Sequence, residues 1–310
     1  MKVIFDLDPA VYMSAFSAQH KIYTVIYEDE DGVQEKVFED GNEKNRWLRD
    51  MDFEGHPELE LLDVEPYLVV EEESHARQSA KTVIESALKE VERRFKQPVE
   101  SAEYFLTGKG NFREGVATIA KYKGNRDEME KPVHYQAVRD YYIDDWGARV
   151  IDGMEADDEV SIRMWEHWRN GDEEVVLATI DKDLDQIPGW HYDYKKHVFY
   201  DVDPLDGELF FYAQCIAGDA TDNIKGCYRI GITKARKFVE EWFDEATELG
   251  VKDWRAYVWE RVIDTYEQNM KQYPDRFPEG MEPAGAALEN AHLVYMLQER
   301  DEVWQPPMSC

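Results

Sequence analysis

Apolar residues in this chain fall into short runs that stop abruptly at acidic residues, with stretches of helical spacing between them. Residues 3–5 form one such run, ending at Asp6, and read as a buried strand. Residues 102–106, 149–151 and 175–180 read as further strands. Residues 22–38 alternate in part around Asp31-Gly32, which predicts a hairpin. Residues 73–96 are charged and periodic, with Val83, Ile84, Ala87, Leu88 and Val91 on one face of a helix. Helices are also predicted over residues 134–146, 155–168 and 208–217. Beyond about Glu240 the chain reads as helical and Trp-rich, with a loop around residues 274–283. Strands alternating with helices predict an α/β fold with a doubly wound, mostly parallel sheet covered on both sides.

Bulk composition adds few surprises and one puzzle. The 310 residues are 43% apolar and 13% aromatic, enough for a sizeable core and unlike a disordered chain. Asp6 and Asp8 interrupt the apolar stretch that a signal peptide needs, and no run is long enough to span a bilayer. Cys215, Cys227 and Cys310 lack CxxC spacing, so a reducing, cytoplasmic setting is expected. The puzzle is the net charge of −31, which repels phosphates at long range. Basic residues are nevertheless clustered. Residues 225–239 hold Lys225, Arg229, Lys234, Arg236 and Lys237 with no acid, and Arg113, Lys121, Lys123 and Arg126 lie in one short segment.

Open α/β sheets bind ligands beyond the C-terminal ends of their strands. Acidic groups fall there repeatedly: Asp6 after the first strand; Glu155, Asp157 and Asp158 after residues 149–151; Asp181 and Asp183 after residues 175–180. Asp219 and Asp222 lie in GDATDN, before a glycine-containing turn. Singly, each is explained as a first-turn acid, an N-cap or a turn former. Together, eight carboxylates at one sheet edge would repel unless cations neutralise them. Oxygen-only donors select hard ions, hence Mg²⁺ or Mn²⁺, and eight exceed the needs of one ion. Two ions suit in-line attack on a phosphodiester.

GMEADDEV (residues 153–160), TIDKDLDQI (179–187) and AGDATDNIKG (217–226) resemble, in the same order, the motifs of the flap endonuclease/5′-3′ exonuclease superfamily. That family includes the 5′-nuclease domain of bacterial DNA polymerase I and bacteriophage 5′-exonucleases. The likeness runs from Asp6 to about Val239, and a fainter phage-exonuclease likeness continues through ALENAHLVYMLQERDEVW. It implies a PIN-like nuclease core with a helical arch over residues 1–207. A helix–three-turn–helix region and helical extension would follow over residues 208–310. Asp6, Glu155 and Asp157 would hold one metal ion. Asp181, Asp183 and Asp219, with Asp222, would hold the second, and Asp158 would ligate directly or through water. KYKGNR (121–126) resembles the base of the arch, where Lys123 would polarise the scissile phosphate and Arg126, Lys121 and Arg113 would bind phosphate. GCYRIGITKARKF (226–238) resembles the duplex-gripping turn, with Gly231 admitting a phosphate and Lys234, Arg236 and Lys237 adding charge. A K⁺ ion there is a further expectation.

The implied activity is metal-dependent 5′-3′ exonuclease or flap endonuclease cleavage of DNA with 5′ ends or flaps, and of RNA in RNA–DNA hybrids. Replication or primer removal is the expected setting, in a monomer working in the cytoplasm, the host's if phage-encoded, without a membrane. Two positions depart from the family pattern. Thr107 or Gly108 stands where an Asp ligand is usual, and Arg229 matches the first glycine of the hairpin turn. A PIN-type ribonuclease and a non-catalytic nucleic-acid-binding relative are the alternatives.

Overall fold

The computed structural model describes residues 1–126, 130–172 and 174–307. Residues 127–129, inside the expected arch segment, and Cys310 lie outside the described residues. From the N-terminus run β1 (Lys2–Asp6), α1 (Asp8–Phe16), β2 (Gln19–Asp29), β3 (Gly32–Phe38), α2 (Gly41–Met51), β4 (Glu60–Val70) and α3 (Glu73–Phe95). Next come β5 (Ser101–Asn111), α4 (Arg113–Val116), α5 (Tyr135–Trp146), β6 (Arg149–Gly153), α6 (Ala156–Arg169), β7 (Val175–Ala178), β8 (Gly189–Asp193) and β9 (Val198–Val202). The chain continues through α7 (Pro204–Ala217), the two-residue strands β10 (Gly218–Asp219) and β11 (Ile224–Lys225), α8 (Ile232–Glu248), α9 (Trp254–Gln272) and α10 (Pro283–Val294).

These elements form two compact units, one of Met1–Pro9, Glu85–Glu130 and Trp146–Cys310, the other of Ala10–Ile84 and Lys131–Asp145. The boundary expected at residue 207 falls inside the first unit, within α7.

The first unit is built on a six-stranded sheet in the order β6-β5-β1-β7-β8-β9, parallel except for β9. On one face Ile4, Phe105 and Leu177 pack with Val160 and Met164 of α6. On the other, Phe95 of α3 meets Trp190 and Phe199 edge-on at 5.4 and 5.9 Å. The doubly wound, mostly parallel sheet is therefore present. A second core lies among α7, α8, α9 and α10, with Tyr212, Trp259 and Tyr266 at its centre. Burial pushes both thiols here up, Cys227 to about 12, so they are inert packing groups. Over residues 113–126 the helical content is α4 and a single 3₁₀ turn at Gly124–Arg126.

The second unit carries an antiparallel sheet in the order β3-β2-β4. The predicted hairpin joins β2 and β3, with Asp29 paired to Gly32 and Gly32 at φ +106°. Asp40 caps α2 by accepting from Asn42 and Glu43 N–H at 2.7 and 2.8 Å. Trp47 of α2 packs against Tyr27, Phe38 and Phe53. Strand β4 is missing from the sequence reading because Asp63, Glu65 and Pro66 break its alternation; proline is tolerated because β4 is an edge strand. Among the described residues no helix is long and apolar enough to cross a membrane.

Candidate functional site

Each parallel strand of the first unit that ends near the sheet's centre delivers an acid. Asp6 closes β1 and is 3% exposed, its carboxylate accepting from the Thr179 hydroxyl at 3.1 Å. Thr179 directly follows β7 in space and sequence. Its Oγ1 also accepts from Asp181 N–H at 3.0 Å, so one hydroxyl ties the ends of two neighbouring strands together. Asp181 in turn caps the 3₁₀ turn Lys182–Gln186 by accepting from Asp183 N–H at 2.9 Å. Gln214 of α7 donates to Asp183 at 2.8 Å. Asp219 holds the β10–β11 turn by accepting from Thr221 N–H at 2.5 Å and Asp222 N–H at 3.2 Å.

Glu155 caps α6 in a reciprocal box with Asp158, placing Glu155, Asp157 and Asp158 on the helix's first turn. The basic segment reaches the same place. Lys123 Nζ pairs with Glu155 and lies 3.5 Å from Asp222, while its N–H donates to the Asp222 carbonyl at 2.8 Å. Arg126 Nη2 donates to Asp222 at 2.5 Å. The Tyr122 hydroxyl sits between Glu155 at 2.6 Å and Asp222 at 2.9 Å. Lys123 holds a positive φ of 53°, the strained backbone that turns its side chain inward.

The charge balance divides the acids into two sets. Burial opposes ionisation of Glu155, but Lys123 and Arg113 outweigh it and hold the carboxyl below its ordinary value. In the other set, burial and neighbouring acids outweigh the cations. Burial, then the neighbouring Asp8 and Asp181, push Asp6 well above the carboxylate range. Burial with Glu155 and Asp158 does the same to Asp157. Burial raises Asp181, and burial with Asp181 and Asp219 raises Asp183 to about 8. This is the signature of buried like charges short of cations. Their oxygen-only chemistry fits hard divalent ions. Among the described residues, however, no three acidic, histidine or cysteine side chains converge on a point that would hold an ion.

One expectation, Arg113 as an exposed phosphate ligand, meets a buried side chain here. Arg113 is 1% exposed, and its guanidinium is spent on Asp158 and on the carbonyls of Leu293 and Tyr295, each at 2.8 Å. It has no donor facing solvent for a phosphate. Asp158 is fully buried under that guanidinium, in an ion pair at 2.5 Å. The remaining expected site residues, Asp6, Glu155, Asp157, Asp181, Asp183, Asp219, Asp222, Lys123 and Arg126, form one electrostatically linked group. Lys121 is exposed on the same segment.

Sequence reading also passed over contributors. Asp8 accepts from Thr107 N–H at 3.1 and 3.2 Å, bringing a carboxylate to the C-terminal half of β5, where Thr107 or Gly108 stands in place of the expected Asp. The signal was its two-residue spacing from Asp6. Thr107 Oγ1 accepts from Ala156 N–H at 2.8 Å, tying β5 to the start of α6. Gly108 is favoured because a Cβ there would fall 2.8 Å from the Ile151 backbone carbonyl.

The helix–turn–helix expected around residues 226–238 is formed by α7, the β10–β11 turn and α8, with Gly231 as the N-cap of α8. Its cations are not equivalent. Arg236 pairs with Glu240 at 2.9 Å and Asp206 at 3.5 Å, and Lys237 with Glu241 at 3.9 Å. Lys234 has no carboxylate partner among the described residues and lies over the Phe238 ring at 5.4 Å.

No family model and no curated protein sequence matches the chain. Among solved structures it is similar to T5 5′-exonuclease with bound divalent zinc ions, at 18% identity and TM-score 0.44, over 69% of this chain and 80% of that one. It is similar also to a variant of the bacteriophage T5 D15 flap endonuclease in a pseudo-enzyme–product complex with DNA and metal ions. There the identity is 18% and the TM-score 0.43, over 69% and 80% of the two chains. T5 D15 protein co-crystallised with metal ions gives 19% identity and TM-score 0.45, over 69% and 82%.

Proposed function

We propose that the chain is a divalent-metal-dependent 5′-nuclease, cleaving DNA as a 5′-3′ exonuclease or flap endonuclease and accepting RNA–DNA hybrids. One observation carries the reading. Buried carboxylates from the ends of β1 and β7, the start of α6 and the β10–β11 turn share one electrostatic neighbourhood with Lys123 and Arg126. Structural ion pairs alone would not leave Asp6, Asp157, Asp181 and Asp183 each buried beside neighbouring acids that repel it.

In this reading Asp6, Glu155 and Asp157 would hold one Mg²⁺ or Mn²⁺, and Asp181, Asp183, Asp219 and Asp222 would hold the second. Bound ions supply an activated water and stabilise the leaving oxygen. The chain's own groups do the rest. Asp8, anchored on Thr107, adds negative charge beside Asp6. Lys123 and Arg126, paired here with Glu155 and Asp222, would bind and orient the substrate's phosphate. Tyr122 holds Glu155 and Asp222 in place. Lys234 and the α8 N-terminus grip the duplex backbone away from the chemistry.

The test is cleavage of 5′-labelled duplex, flap and RNA–DNA hybrid with and without Mg²⁺ or Mn²⁺. Metal-dependent release of short 5′ products supports the proposal. Binding without cleavage in either metal identifies a non-catalytic relative instead.

A further inference from the structure

We infer that the face of the β3-β2-β4 sheet turned away from α2 is a docking surface for a basic amphipathic helix of a partner protein. The inference does not rest on the nuclease reading and concerns the second compact unit alone.

The pairing register sorts the sheet's side chains onto two faces. Tyr23, Tyr27 and Phe38 face α2: Lys44 of that helix lies over the Tyr23 ring at 4.3 Å, and Trp47 packs against Tyr27 and Phe38, each at 5.4 Å. Residues one step along each strand point the other way. There Ile22 stands opposite Tyr67, Thr24 opposite Val37, and Glu28 opposite Val33, with Ile26 between them on β2. Ile22 and Ile26 are half-buried, whereas Val33, Val37 and Tyr67 are 62%, 61% and 68% exposed. An apolar band on a sheet is ordinarily closed by a second layer, as α2 closes the first face. Left open to water, such a band marks an interaction site.

Charge decides what kind of layer fits. The two lysines of these strands, Lys21 and Lys36, share the α2 side, Lys36 lying over the Trp47 ring at 4.7 Å. The outer face carries Glu28, Glu35, Glu60, Asp63 and Glu65 and no lysine or arginine of the three strands. Among the described residues none of these five acids is ion-paired. Glu28 and Glu60 stand directly opposite each other, an arrangement that costs a sheet stability and that a cation from outside relieves. A nucleic-acid strand or an anionic membrane is repelled by this face. A second copy of the chain would bring the same five acids onto it, because a two-fold contact sets a surface against itself. A helix with an apolar stripe flanked by lysines or arginines complements both the band and the acids.

The probe is a helical peptide with leucines on one face and lysines on the other, titrated into the full chain over a range of salt beside its leucine–glutamate counterpart. The lysine peptide should bind, more weakly as salt rises, and should slow amide exchange in β2, β3 and β4; the glutamate peptide should not bind. Val33→Ser/Val37→Ser and Glu28→Lys/Glu35→Lys should each lower the affinity about tenfold or more. Asp244→Lys/Glu248→Lys, which changes exposed acids of α8, should match wild type. Glu28→Lys/Glu35→Lys should melt no lower than wild type, since the residue facing Glu60 then carries the opposite charge. Equal losses in the face and α8 variants would reduce the effect to bulk acidity and overturn the site. Absence of binding, protection confined to other elements, equal binding of the glutamate peptide, or self-association that Val33→Ser/Val37→Ser abolishes would overturn it as well.

Discussion

The guanidinium of Arg113 lies on the carboxylate of Asp158 in a two-point ion pair, Nη1 to Oδ2 at 2.5 Å and Nη2 to Oδ1 at 2.8 Å, with both side chains out of water. Two backbone carbonyls near the end of α10 complete the guanidinium's partners. A buried ion pair with four of the five guanidinium N–H donors hydrogen-bonded tolerates the loss of neither member, because the survivor is left charged and unsolvated. Arg113→Leu should therefore destabilise the protein by about 3–5 kcal/mol in urea unfolding. The paired replacement Arg113→Leu/Asp158→Leu should recover most of that. If Arg113→Leu instead unfolded like wild type and lost DNA affinity, the residue would be a phosphate ligand after all.

A second prediction concerns the repelling acids. Asp181→Asn or Asp183→Asn removes one charge from a buried like-charge group, so the metal-free variants should be as stable as wild type or more so. Divalent ions should raise the wild-type melting temperature, since a ligand at a hundredfold its Kd adds about 2.7 kcal/mol. The variants should lose most of that gain together with most cleavage, while still binding DNA. Wild-type-like turnover in Mg²⁺ by either variant would sink the ligand assignment.

How far such features were legible in the sequence depends on how local their causes are. Asp6, Asp181 and Asp183 were visible because an apolar run meeting an acid marks a strand end, and strand ends are where this class of sheet binds. Arg113 was misread because its partner lies 45 residues away and nothing local distinguishes a buried guanidinium from an exposed one. Strand β4 was hidden by Pro66 and two acids, which only an edge position permits. The α8 cations are a different case. Arg236–Glu240 and Lys237–Glu241 follow the four-residue helix spacing, so their mutual neutralisation was there to be read.

That neutralisation sharpens the division between chemistry and anchoring. Lys123 touches Glu155 and Asp222, at the heart of the acidic group. Removing one preorganised charge at a reacting phosphate typically costs on the order of 10²–10³ in turnover. Lys123→Ala should show that loss in single-turnover cleavage at saturating enzyme, with a small change in affinity. Lys234→Ala should do the reverse and account for most of the binding lost in a Lys234/Arg236/Lys237→Ala variant, because the other two cations already have partners. Similar behaviour of Lys123→Ala and Lys234→Ala at saturation would defeat the division.

The last prediction concerns acid stability and His191, a buried residue of β8 four residues beyond the motif that ends at Ile187. Its Nε2 hydrogen bonds to the Ile187 carbonyl at 2.9 Å, and its Nδ1 has no hydrogen-bond partner among the described residues. The ring lies 5.1 Å from that of Tyr200. Burial outweighs the favourable carbonyl and lowers its pKa from 6.5 to about 4. The folded chain thus keeps a neutral imidazole while the unfolded chain takes up a proton. Unfolded His191 binds more protons between those two values, so stability rises with pH across the window. The contribution is fully present above about pH 6.5 and is lost as pH falls toward 4. A depression of that size corresponds to about 3 kcal/mol. Urea unfolding at pH 7 and pH 4.5 should show a loss that shrinks by about 2–3 kcal/mol in His191→Gln, which keeps a donor for Ile187 but cannot titrate. Carboxylates other than Asp185, which lies 4.0 Å from the imidazole Nδ1, titrate alike in both proteins and cancel in the comparison. An equal loss in the two would show that His191 keeps an ordinary pKa in the fold, and acid sensitivity would then have to come from the carboxylates alone.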